Sequence, residues 1–119
     1  MKLSKEKLKS LVTYKITPLP EDIPVRGNLV YSGDPDLDRE DEDAVIADLE
    51  IGNDWAWCCV EVKCEYMGFS GSAYLGGCSF KSEEHFLKDG YYLDMQIEAF
   101  SELCEKLETV IKELKKVSE

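Results

Sequence analysis

The strongest limit on the fold lies near the carboxy terminus, where Leu93, Ile97, Phe100, Cys104, Leu107, Ile111 and Leu114 recur at alternating spacings of four and three. That spacing puts all seven on one stripe and predicts a helix from Leu93 to about Val117. At a rise of about 1.5 Å per residue such an element is about 36 Å long. A domain of 119 residues has a radius of gyration near ~13.5 Å. The helix must therefore form one wall of the fold or reach far enough to pair with a second copy. Glu102 with Lys106 and Glu108 with Lys112 stand four apart, acid first, which supports the helix and solvates its outer face.

A strand follows from the alternation between Ala56 and Tyr66. Ala56, Cys58, Val60, Val62, Cys64 and Tyr66 share one face, and Trp57, Cys59, Glu61, Lys63 and Glu65 share the other. "AYLGGCSF" (73 to 80) supplies a second strand, with "GFSGS" as the loop and Gly76-Gly77 as a bulge position, so the pair is predicted to be an antiparallel hairpin. "VRGNLVYSG" (25 to 33) reads as extended and offers an edge strand near 25 to 31. In "DPDLDREDEDAVIADLEIGND" the acids lie upstream of Leu37, Val45, Ile46 and Leu49, which predicts an acidic helix ended by Gly52-Asn53. Ser82 caps a helical turn, "EEHFLK", that stops at Gly90. Leu3, Leu8, Leu11 and Val12 form a short amino-terminal helix capped by Ser4, and Pro18, Pro20 and Pro24 impose an extended connector. The expected class is α+β: a hairpin, or three strands, packed on a long carboxy-terminal helix and a shorter acidic helix. One domain, 1–119, is expected, with residues 1–20 peripheral.

Composition removes several function classes. With 25 Asp and Glu against 14 Lys and Arg the net charge is −11, which repels phosphate backbones and argues against direct nucleic-acid binding. No apolar stretch approaches the ~18 residues of a membrane span and the start lacks a signal-peptide core, so the cytoplasm is the expected location. Five cysteines fit a reducing compartment. Cys58 and Cys64 share the face of Val60 and Val62 and read as core; a zinc site would have to draw on Cys58 or Cys59, Cys64, Cys78 and His85, without close cysteine pairs. Asp34, Asp36 and Asp38 copy the first ligands of a calcium loop, but Arg39 replaces its glycine and Val45 its final acid. "GFSGS" has Ser72 where a nucleophile elbow needs glycine, "LGGCS" lacks a phosphate-loop lysine, and His85 stands alone. No catalytic residue, metal ligand or cofactor site is assigned, and no enzyme is expected.

Taken together, "VRGN" with "SGD", the acidic helix bearing Asp38 and Asp43, "WAWCCVEV", "LGGCS", and "GYYLDM" before the helix bearing Ala99 and Leu103 resemble a family of small bacteriophage and prophage proteins that carries no assigned activity. The resemblance spans roughly residues 25 to 110. It implies a phage origin, a site of action in the host cytoplasm, and membership of the small acidic phage proteins that block host defence nucleases, anti-CRISPR proteins among them. The expected interface is Asp34, Asp36, Asp38, Glu40, Asp41, Glu42 and Asp43, joined by Trp55 and Trp57, facing a host protein with a basic surface. Changing Asp36, Asp38, Asp41 and Glu42 to amides is expected to leave the fold intact. The alternative is an oligomeric structural or accessory phage protein, a homodimer through the carboxy-terminal helix with exposed Trp55 and Trp57 in the self-interface.

Overall fold

The computed structural model describes residues 1–29 and 32–119. Its elements follow in the order α1 (Lys5–Lys9), β1 (Thr13–Pro20), α2 (Pro35–Glu50), a 3₁₀ turn (Asp54–Ala56), β2 (Cys58–Tyr66), β3 (Phe69–Cys78), α3 (Glu83–Lys88) and α4 (Tyr91–Lys116). The strands make one antiparallel sheet in the order β1-β2-β3, so the class is α+β, with a long carboxy-terminal helix as expected.

The third strand is not where the sequence put it. Residues 25–29 turn instead of extending, with Asn28 N donating to Val25 O at 3.1 Å and Gly27 at φ 81°; Val30 and Tyr31 lie outside the described residues. The strand is β1, which takes in Pro18 and Pro20 of the expected connector. An edge strand admits proline where the missing N–H would point away from the sheet, and residues two apart point the same way. Both prolines therefore fit one edge, and they block further pairing along it.

β2 and β3 are joined by Met67 and Gly68 alone, both left-handed at φ 51° and 82°, which is the two-residue hairpin turn whose twist matches the strands. The expected "GFSGS" loop is thus mostly strand. The alternation holds in β2, where Cys58, Val60, Val62 and Cys64 are wholly buried. In β3 the buried positions change parity between Ala73 and Cys78, with Gly77 at φ 63°, as an extra residue at the expected bulge requires. Trp57 does not obey the alternation and is buried, because the chain before Cys58 is a 3₁₀ turn, not a strand; its indole N–H donates to Ile23 O at 2.8 Å.

The chain divides into two compact units, residues 1–16, 62–73 and 92–119 in the first and 17–61 and 74–91 in the second. In the first, α4 lies directly on the hairpin at Gly71. A Cβ there would run into Ala99 O and Leu103 N of the α4 backbone and stand 3.0 Å from Glu102 C. That approach centres the buried side of α4 on Met95, Ala99, Phe100, Leu103, Cys104 and Leu107. The expected stripe is therefore only partly buried: Leu93 and Ile97 remain 66% and 60% exposed, and Leu114 is exposed too. Lys106 Nζ donates to Ser70 O at 2.7 Å, Ser72 N–H donates to Glu102 Oε1 at 3.4 Å, and the two side chains pair at 3.3 Å, so α4 also satisfies backbone groups of β3. Glu108 pairs with Lys5 at 3.8 Å.

In the second unit Trp55, Phe80 and Phe86 form an aromatic cluster with centroid separations of 5.5 to 6.3 Å, around a wholly buried Phe86. Glu21 Oε2 accepts from Gly77 N–H at 2.5 Å.

If α4 is seated through Gly71, Gly71→Ala must lift the helix or bend the strand, at a cost of about 1–3 kcal/mol. Urea unfolding read by the ellipticity of a chain that is 48% helix should show the lowered midpoint. A midpoint equal to that of the unaltered chain would refute the contact.

Candidate functional site

The acidic segment folds as a helix from its first turn. Asp34 is the N-cap, its Oδ1 accepting from Asp36 N at 3.0 Å and Leu37 N at 3.4 Å, and Pro35 takes the first helical position. Acids in that turn complement the positive end of the helix dipole. At the other end Gly52, at φ 96°, reverses the chain: Gly52 N donates to Leu49 O and Asn53 N to Asp48 O, each at 3.0 Å, the paired bonds of a glycine-ended helix.

The seven acids then part into different roles. Asp38 and Glu42, four residues apart on one side of α2, are buried. Asp38 Oδ1 accepts from both the N–H and the hydroxyl of Ser32 at 2.8 Å. Glu42 Oε2 accepts from Gly27 N–H at 2.7 Å, and its Oε1 from Arg26 Nη1 at 3.4 Å. Arg26 Nη2 also donates to Asp43 Oδ1 at 2.5 Å, and these carboxylates hold the Arg26 guanidinium above its ordinary pKa, the Asp43 bond first, against a smaller opposing effect of burial. Two helix carboxylates thus bond to Arg26, Gly27 and Ser32 in the chain that precedes α2. Asp38 and Glu42, expected to face a partner, are instead turned inward by this geometry. Asp36, Glu40 and Asp41 remain exposed, as does Asp43 beside Arg26.

The tryptophans are not free surface. Trp57 is buried, and Trp55 is half-buried with its ring 5.6 Å from Phe86 and 6.3 Å from Phe80. Local pattern does not reveal the face of either, because Trp55 packs on Phe80 and Phe86 and Trp57 bonds to Ile23, all distant along the chain.

The cysteines sit apart in the two units. In the first unit Cys64 is buried near Tyr14, whose hydroxyl is pushed up to about 12, chiefly by burial and then by Cys64. In the second, burial first and neighbouring Cys78 next push Cys58 up to about 12, while Cys59 is half-buried and raised less. Burial likewise raises Cys78 and Cys104. A thiol held protonated is a poor nucleophile and a poor metal ligand. Among the described residues no three His, Cys, Asp or Glu side chains converge as a metal site, and no helix is long and apolar enough to cross a membrane. His85 is exposed, its Nδ1 3.0 Å from Ser82 Oγ in the cap of α3.

No protein-family model matches the chain, and no curated protein or solved structure does so either.

Two outcomes follow from this geometry. Asp38→Ala and Glu42→Ala should each cost about 1–3 kcal/mol in urea unfolding, whereas Glu40→Ala and Asp41→Ala should stay within about 0.5 kcal/mol. Equal effects at all four positions would contradict the division. For the thiols, a folded-state pKa raised from about 9 to about 12 at Cys58 means that the unfolded chain loses its proton first as pH rises. The associated stability is complete below about 9 and should decline between about 9 and 12, seen as a falling thermal midpoint. In the folded protein at neutral pH an aromatic disulfide reagent should titrate Cys59 first, and all five thiols only after denaturation.

Proposed function

We propose that the chain is a non-enzymatic binding protein of bacteriophage type that engages a basic surface of a host nucleic-acid-binding protein, such as a defence nuclease, through the exposed side of α2. The observation that carries this reading is the split of the acidic segment. Asp38 and Glu42 are spent on fixing α2 to its flanking turns, while Asp36, Glu40 and Asp41 stay in solvent on the element so fixed. A rigidly held row of carboxylates offers charge to a partner without the entropy cost of ordering it on binding. Asp36 and Glu40 stand one turn apart on one side of the helix, about 6 Å in rise, wider than the ~3.4 Å axial step of phosphates on one DNA strand. The row competes with a phosphate backbone by sign and rough spacing, not as a replica of it. The resemblance to phage proteins supplies the host side of the proposal, and the net charge of −11 favours electrostatic attraction to a cationic cleft.

The test compares the unaltered chain with one carrying Asp36→Asn, Glu40→Gln and Asp41→Asn, each immobilised and exposed to bacterial lysate at low salt. The unaltered chain should retain a basic nucleic-acid-binding protein that duplex DNA displaces and added salt releases. The triple variant, with an unchanged melting midpoint, should retain at least roughly tenfold less, the weakening that the loss of about 1.4 kcal/mol brings. Equal retention by both chains would overturn the reading.

A further inference from the structure

We propose that the chain forms a twofold homodimer through the side of α4 that carries Leu93 and Ile97, with the two α4 helices parallel. The seven apolar positions from Leu93 to Leu114 alternate in steps of four and three, the repeat of a two-helix seam. The fold of one chain uses only the middle of that seam: Phe100, Cys104 and Leu107 are buried. Leu93 and Ile97, one turn apart, stay in solvent at the edge of a groove of about 440 Å³ whose floor includes Phe100, Cys104 and Tyr14.

The charges around the groove identify the occupant. One wall is basic: Lys5 and Lys9 line it, Lys5 Nζ also standing 3.8 Å from Glu108 at the exposed margin and Lys9 Nζ lying 5.8 Å from the centre of the Phe100 ring. Beyond Leu93 and Ile97 on the opposite side, α4 carries the exposed acids Asp94, Glu98 and Glu105. In a chain of net charge −11 a basic wall fits an acidic partner, and α4 itself presents acids next to an apolar stripe in the same register. A twofold axis parallel to α4 exchanges left for right across the interface and sets the basic wall of each copy against the acids of the other. An antiparallel arrangement would set like against like. The self-complementary surface is that of an isologous dimer. This inference does not rest on the function proposed for α2, which lies in the other unit.

Sedimentation equilibrium over a wide range of protein concentration tests it. The mass should rise to twice the 13.5 kDa of one chain. Leu93→Glu with Ile97→Glu should leave the circular dichroism spectrum unchanged and weaken the dimer by roughly tenfold or more; Ile97→Ser reads the same contact more gently. Lys5→Glu with Lys9→Glu should weaken the dimer, and adding Asp94→Lys and Glu98→Lys to that chain should restore it. A single-chain mass at every concentration leaves the groove to some other occupant and overturns the proposal. So does a dimer indifferent to the changes at Leu93 and Ile97, or a charge reversal that is not rescued.

Discussion

The first unit depends on one steric fact, that Gly71 has no side chain. With a Cβ excluded by the backbone of Ala99 and Leu103, the strand and α4 approach until main chain meets main chain, and that approach fixes which residues of α4 turn inward. Ala99 and Leu103 become the centre of the buried arc, flanked by Met95 and by Phe100, Cys104 and Leu107. Close approach also brings Glu102 and Lys106 to β3, where they bond to Ser72 N–H and Ser70 O. The edge of the sheet, a ready template for pairing with another strand, is thereby occupied by side chains of the same chain. A single absent methyl group sets helix rotation, core composition and edge protection together.

The second unit solves its problem with polar bonds. α2 buries little apolar surface: Leu37 is 45% exposed, and Val45, Ile46 and Leu49 are only partly covered. A helix so poor in buried hydrophobes needs another anchor, and Asp38 and Glu42 provide it by accepting from the backbone of Ser32 and Gly27. Bonds from neutral N–H groups to a carboxylate are about twice as strong as neutral pairs. The acid-rich composition of this segment thus has a folding role before any role in recognition, and only the acids turned outward are left for a partner.

The legible parts of the fold were those governed by local periodicity or capping. The alternation of Cys58, Val60, Val62 and Cys64, the caps at Ser4 and Ser82, and the extent of α4 all follow from neighbours in sequence. What escaped depends on partners distant along the chain. Pro18 and Pro20 read as a connector because proline is barred from a central strand, and nothing local says that β1 lies at an edge. Gly71 of "GFSGS" reads as a loop residue, since its function is visible only once Ala99 and Leu103 are placed against it. The four-residue spacing of Asp38 and Glu42 is shared by the exposed Asp36 and Glu40, and their donors, Ser32 and Gly27, lie outside the regular elements, where no periodicity marks them.

The seam of α4 shows how a pattern can hold while leaving open what covers it. The four-and-three spacing from Leu93 to Leu114 does report a helix with one apolar side. It does not report which neighbour covers that side. The contact at Gly71 rotates the buried arc toward Ala99 and Leu103, residues outside the repeat, so the same arc covers Phe100, Cys104 and Leu107 while Leu93 and Ile97 fall at its margin. Two apolar side chains in solvent are ordinary when scattered. Here they share a register with buried positions and border a groove with Lys5 and Lys9 on one side and acids on the other. The net charge of the whole chain conceals this local order, because the acids that dominate it include inward-facing groups bonded to backbone as well as outward-facing ones. Recognition must therefore be argued from the arrangement of charges on each surface, and on α4 that arrangement complements itself.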